Sequence, residues 1–173
     1  MIESEILTTI ITSSFTKQDL LRRLRILREY LESKLFHQNG STVSLEKFLK
    51  NVQASASDSI ILQSWGEKFF HYFTKDNVYD VLGKINEKIK ATHAVNVYLP
   101  FAPDEKEAKR LGMWFRENVG RDCLIELHVD RSMVGGLGLA SNGYFRDYSL
   151  KHYIEKNKDK VRDIIAHYVA SNV

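Results

Sequence analysis

A chain of 173 residues and 20.0 kDa holds one ordinary domain or two small ones, each near the lower limit for burying its own core. With 43% hydrophobic and 27% charged residues it reads as globular, not disordered, and no apolar run approaches the roughly 20 residues that a bilayer crossing needs. A single cysteine, Cys123, excludes an internal disulfide and a cysteine-based zinc site, and a net charge of +3 with a pI near 8.9 describes an ordinary, mildly basic surface, compatible with nucleic acid, an anionic membrane or an acidic protein.

The first residues, MIESEILTTIITSSF, carry acids where a secretory signal carries bases, so a cytosolic chain is expected. A short helical run there precedes a long amphipathic helix. Thr16 with Asp19 resembles a capping box, and Leu20, Leu24, Leu27, Leu31 and Leu35 follow at steps of three or four. Arg22, Arg23, Arg25 and Arg28 spread around that helix and read as a solvated face. Asn39 and Gly40 break it; the Asn39 to Ser41 triplet, a glycosylation pattern by its letters, is only a turn in a chain without a secretory signal.

Ser44 caps a shorter helix bearing Leu45, Phe48, Leu49 and Val52. Asp58 is expected to cap a third helix with Ile61, Leu62, Trp65, Phe69 and Phe73, and Thr74 or Asp76 a fourth with Val78, Val81, Leu82, Ile85 and Ile89. Gly66 and Gly83 fall inside these patterns, as though to allow close helix contact. Residues 1–92 thus read as a small helix bundle.

Near Ala91 to His93 the hydrophobic period changes from 3.6 to 2. Val95, Val97, Leu99 and Phe101 alternate as one face of a strand. An acid-rich start and a seam of Ala108, Leu111, Phe115 and Val119, stopped at Gly120, make a helix; Cys123, Ile125, Leu127 and Val129 then make one face of a second strand. Asn142-Gly143 signals a type I′ hairpin, and Asp147 or Ser149 can cap a last helix carrying Leu150, Ile154, Val161, Ile164, Ile165 and Tyr168. Residues 93–173 read as a small α/β unit, and the whole chain as α+β.

The stretch Asp130 to Ser149 holds four of the nine glycines within nine residues. A P-loop needs a lysine and a hydroxyl after its last glycine, and neither stands there. Gly136 and Gly138 open a dinucleotide-like pattern, but Ser141 fills the third glycine position and a hairpin follows in place of a helix. The six histidines are scattered, with no metal-binding spacing. Cys123 and His128 have opposite strand parity and so cannot pair as nucleophile and base. Asp130 and Asp147 read as segment ends, not as paired catalytic carboxylates. The glycines are architecture: Gly135 and Gly136 turn the chain or bring it close to another element, and Gly143 completes the hairpin.

The order of these pieces resembles the C-terminal part of the delta subunit of F-type ATP synthases, the oligomycin-sensitivity-conferring protein family. The resemblance rests on an alternating strand, then Asp130-x-Ser132, Met133, Val134, Gly135, Gly136, a strand, Asn142-Gly143, a strand, and Asp147-x-Ser149 opening the last helix. It covers residues 92 to 155 well, and the helical first half fits the family's two-part plan. It implies a non-catalytic stator connector with no cofactor, metal or nucleotide site of its own and no transmembrane segment.

In that arrangement the helical half meets the N-terminal segments of the alpha subunits, with Trp65, Phe70 and Tyr72 as candidate contacts. The α/β half, with Leu150 and Ile154, holds the C-terminal ends of the b-type stalk. The implied location is cytoplasmic, on the energy-transducing membrane through the complex. Two readings from other classes stand beside it: a small basic nucleic-acid-binding module using Lys and Arg of the helical half, and an enzyme with a cleft of convergent titratable groups between the halves.

Overall fold

The computed structural model describes residues 3–36, 44–92 and 94–171. The protein is a mixed α+β fold: among the described residues, six helices precede a four-stranded sheet with one crossover helix, and two helices follow it. The turn at Asn39 to Ser41, His37 and His93 lie outside the described residues.

The helical half comprises α1 (Glu3–Thr12), α2 (Lys17–Phe36), α3 (Leu45–Asn51), α4 (Ala56–Ser64), α5 (Gly66–His71) and α6 (Val78–Ala91). The Thr16 hydroxyl accepts the Asp19 N–H at 3.0 Å and caps α2, and Ser44 caps α3. The leucine seam of α2 meets Ile6 and Ile10 of α1 and Val78, Ile85 and Ile89 of α6 in one hydrophobic core. Each such side chain, once removed from water, contributes about 1.5–3 kcal/mol.

Several expectations are corrected here. The arginines of α2 are not one solvated face: Arg23 is 2% exposed, and its Nε donates to Asp58 at 2.8 Å, while Arg22 Nε donates to the other oxygen at 2.6 Å. Asp58 is therefore not a cap. Ser55 caps α4, accepting the Asp58 N–H at 3.1 Å, which leaves the Asp58 carboxylate free to turn inward. Neither Thr74 nor Asp76 stands at the N-cap of α6; Asn77 does, without a side-chain cap bond, its side chain instead tying together the Thr74 N–H and the Tyr72 carbonyl.

The third helix is two helices, divided where Gly66 takes a left-handed φ of 72°. Gly83 stays helical within α6, and nothing lies within 4 Å of the place a Cβ would occupy at either glycine, so neither serves a close helix contact. Gly83→Ala is expected to raise stability by about 0.5–1 kcal/mol through the conformational entropy of the unfolded chain, read as a higher thermal midpoint.

The α/β half comprises β1 (Ala94–Leu99), α7 (Glu105–Asn118), β2 (Leu124–Val129), β3 (Gly138–Ser141), β4 (Tyr144–Asp147), α8 (Leu150–Lys156) and α9 (Lys158–Ser171). A full capping box between Asp104 and Glu107 starts α7. The strand order is β2-β1-β3-β4. β1 and β2 run parallel, joined through α7; β1 to β3 and β3 to β4 are antiparallel. Val97, Leu99 and Ile125 face Phe115 of α7 in a second core.

On the opposite face the helical half covers the start of the sheet. Leu124 is 1% exposed there and belongs to the helical core, with Ala94 packed against it. Both faces of β2 are thus buried at its beginning, which simple alternation does not anticipate. Phe101 lies beyond the end of β1, Val119 beyond the end of α7 and Val129 at the outer end of an edge strand; all three are exposed, not inward. Cys123 precedes β2, and burial pushes its thiol pKa up. His128 bonds the Asn96 side chain at 2.9 Å and stacks on Tyr98. The single last helix expected from periodicity is α8 and α9, separated at Asn157, and neither buries a residue.

Candidate partner-binding surface

The segment between β2 and α8 is built from two copies of one local device. The Asp130 carboxylate accepts the Ser132 hydroxyl at 2.6 Å and the Ser132 N–H at 2.9 Å. The Asp147 carboxylate likewise accepts the Ser149 N–H at 2.7 Å, and the Ser149 hydroxyl accepts the His152 N–H at 3.1 Å, capping α8. These bonds, the serine side chain's first, hold both aspartates below the ordinary carboxylate range. The carboxylates shape backbone; they do not converge on a common point.

Between the two devices the chain doubles back. Gly135 and Gly136 adopt φ of 64° and 75°, which brings the Val134 carbonyl to the Leu150 N–H at 3.1 Å and the Leu137 carbonyl to the Tyr148 N–H at 2.8 Å. Asn142 and Gly143, at φ of 51° and 79°, make the two-residue turn between β3 and β4, the geometry of a primed hairpin. Met133 is half-buried, next to Gly138.

This framework presents apolar side chains outward. Val134, Tyr144, Phe145, Tyr148, Leu150 and Tyr153 are each at least half exposed, and Ile154 is 41% exposed. Phe145, Tyr148 and Tyr153 also line a groove of about 510 Å³ between β4 and α8, with Arg146, His152 and Lys156 on it. α9 continues with Ile164, Ile165, Tyr168 and Val169, all more than half exposed. An amphipathic helix with no buried residue is a candidate docking face.

The helical half treats its three candidate aromatics differently. Trp65 and Phe70 are core residues, 8% and 6% exposed, packed with Phe69 and Tyr30 at ring distances of 4.6 to 5.4 Å. Tyr72 is half-buried on Phe73. Exposed apolar side chains lie instead at places such as Ile60 and between α2 and α6, where Leu21, Leu24, Tyr79, Leu82 and Gly83 line a groove of about 420 Å³ rimmed by Arg25 and Arg28. Tyr79 stacks on Phe36 there at 5.8 Å. The signal in the sequence is Leu21 and Tyr79, apolar residues placed off the core seams of their helices.

A cleft of about 670 Å³ does lie between the halves, lined by Asp19, Arg22, Asp58, Pro103, Glu105 and Leu127 among others. Its charges are engaged with one another: Arg22 bonds Asp58 and Asp19 and approaches Glu105 at 4.0 Å. Among the described residues no group of three or more His, Cys, Asp or Glu side chains is placed to hold a metal ion, and no helix is long and apolar enough to cross a membrane. Compared with known protein families and with curated proteins, the chain matches neither a family nor a curated sequence.

Proposed function

We propose that the chain is a non-catalytic peripheral-stalk subunit of an F-type ATP synthase, at the cytoplasmic side of the energy-transducing membrane and attached to it through the complex. It joins the catalytic head to the b-type stalk, so that the head is held against the rotor and proton-driven rotation is coupled to ATP synthesis. One observation carries the reading: the Asp130 to Ser149 segment spends its glycines and aspartates on backbone geometry and holds out an apolar hairpin and two helices with no buried residue.

An amphipathic stalk helix fits such a face, and a helix from the alpha subunits fits the groove between α2 and α6. Two modest contacts on one rigid assembly add by effective concentration. The arginines of α2 favour this reading over a nucleic-acid-binding module, because Arg22 and Arg23 turn to Asp58, and Arg25 and Arg28 pair with Glu29 and Glu32 along α2.

The test is binding of the full chain to purified alpha and b-type subunits of the same organism. Micromolar or tighter complexes with both are expected, and failure to bind either overturns the proposal. Ile164→Asp with Ile165→Asp should weaken stalk binding at least about tenfold, the loss of roughly 1.4 kcal/mol or more that a buried anchor represents. Folding stability should change by less than about 0.5 kcal/mol, because both side chains are solvated in the free chain. Leu21→Asp should weaken alpha binding and leave stalk binding unchanged.

A further inference from the structure

We infer that Arg116 is a latch that makes the helical half and the α/β half a single mechanical unit. α1 ends at Thr12, and the last carbonyls of a helix have no partner within it. Here two arginines, one from each half, supply donors. Arg116, in the last turn of α7, donates to the carbonyls of Ile11 and Thr12 at 2.6 Å each and to that of Ser14. Arg23 of α2 donates to the Ser13 carbonyl at 2.7 Å and to the Ser14 hydroxyl at 3.1 Å. Two cations at a helix C-terminus also match its dipole.

The same short segment is an edge partner of the sheet. The Ile125 N–H donates to the Phe15 carbonyl at 3.2 Å, Thr16 bridges Ile125, and Lys17 pairs with Glu126 at 2.9 Å. The Phe15 ring lies 4.6 Å from the Arg116 guanidinium carbon. Phe15 also packs so closely on α7 that a Cβ at Gly112 would come within 2.6 Å of the Phe15 Cβ. Meanwhile Ile6, Ile10 and Ile11 of α1 are buried in the helical core. Residues 11–17 therefore belong to both halves at once, and Arg116 is the α/β side's grip on them.

Halves joined only by a chain crossing move relative to each other by default. With α1 held at its C-terminus by α7, a force applied to the α/β half reaches the helical core through packed and hydrogen-bonded groups, in parallel with the covalent connection between α6 and β1. Opening of one half then entails opening of the other.

Amide hydrogen exchange on the full chain in dilute denaturant tests this, because it reads the opening of α6 and of β1 separately in one sample. In the unmodified protein the slowest amides of the two elements should open with the same denaturant dependence and within about threefold of the same rate. Arg116→Ala should separate them, with β1 opening at least about tenfold faster than α6; Arg116→Lys, which keeps the charge and loses the fork, should fall between. If Arg116→Ala does not fold, Gly112→Ala, which displaces Phe15, is read in the same way. Independent opening of the halves in the unmodified chain, or an unchanged ratio in the variant that folds, overturns the latch.

Discussion

Asp58→Ala is expected to lower folding stability by about 3–5 kcal/mol, the cost of leaving a buried charge without its partner, and to lower the thermal midpoint by roughly 6–20 °C for a chain of this size. Asp58 is 1% and Arg23 2% exposed, so the variant strands a guanidinium away from water. Asp58 also takes both Nε and Nη2 of Arg22, at 2.6 and 3.2 Å, and Arg23 in turn holds Ser13 and Ser14 behind α1. One deletion thus loosens three elements. Arg28→Ala is the control: its pair with Glu32 lies on the surface, where solvent screens it, and the unfolding midpoint should stay close to that of the unmodified protein. Replacing Asp58 and Arg23 together with Leu and Met should recover much of the loss, because apolar groups of similar volume need no partner. Urea unfolding of the four proteins measures all of this.

The same site sets a pH dependence. Burial pushes the Asp58 carboxyl up, but the hydrogen bonds and charges of Arg22 and Arg23 outweigh it, and the net direction is down. A carboxylate whose folded pKa lies below its unfolded value of about 3.9 contributes fully above that pH and loses its contribution as pH falls through the folded value. Stability should therefore hold down to about pH 4 and decline below it. The Asp58→Ala variant should show a shallower decline over that acid range.

How much of this was readable in advance depends on the range of the interaction. The Asn142-Gly143 turn, the Thr16 and Ser44 caps and the change of period near residue 94 are local, and the structure has them where the letters place them. Arg23 and Asp58 are 35 residues apart, and nothing near either says that one arginine of four turns inward. Gly66 and Gly83 are the same residue in similar helical patterns. Only the first is at a left-handed bend, where α4 gives way to α5. Leu124 is buried by contact with the helical half, which strand alternation cannot contain. The apolar period of α9 was legible, yet periodicity identifies a face without saying what covers it, and none of the helix's described residues is buried.

Gly136→Ala is expected to cost about 2–4 kcal/mol, the largest effect among the loop glycines, from two strains that add. Its φ of 75° is left-handed, which disfavours any Cβ by about 1–2 kcal/mol. The new Cβ would also stand 2.2 Å from the Tyr148 carbonyl oxygen and 2.9 Å from the Ser149 Cα. These are backbone atoms, so no side chain can swing aside. Relief requires moving the Tyr148 N–H from the Leu137 carbonyl at 2.8 Å, or shifting Ser149 off the start of α8, where it caps His152.

The neighbouring glycines separate the two strains. Gly135 has φ of 64° but only an ordinary 3.6 Å contact with Leu150, and Gly143 has φ of 79° with open space around it; alanine at either should cost about 1–2 kcal/mol, the left-handed term alone. Thermal unfolding of the three variants without any ligand ranks them. Gly136→Ala well below the other two means that the glycine lets two backbones touch and so sets the hairpin against α8. A cost at Gly136 no greater than at Gly143 would remove the physical reason for treating this loop as the frame of a binding face, because a glycine kept for a ligand has no cause to report on Tyr148.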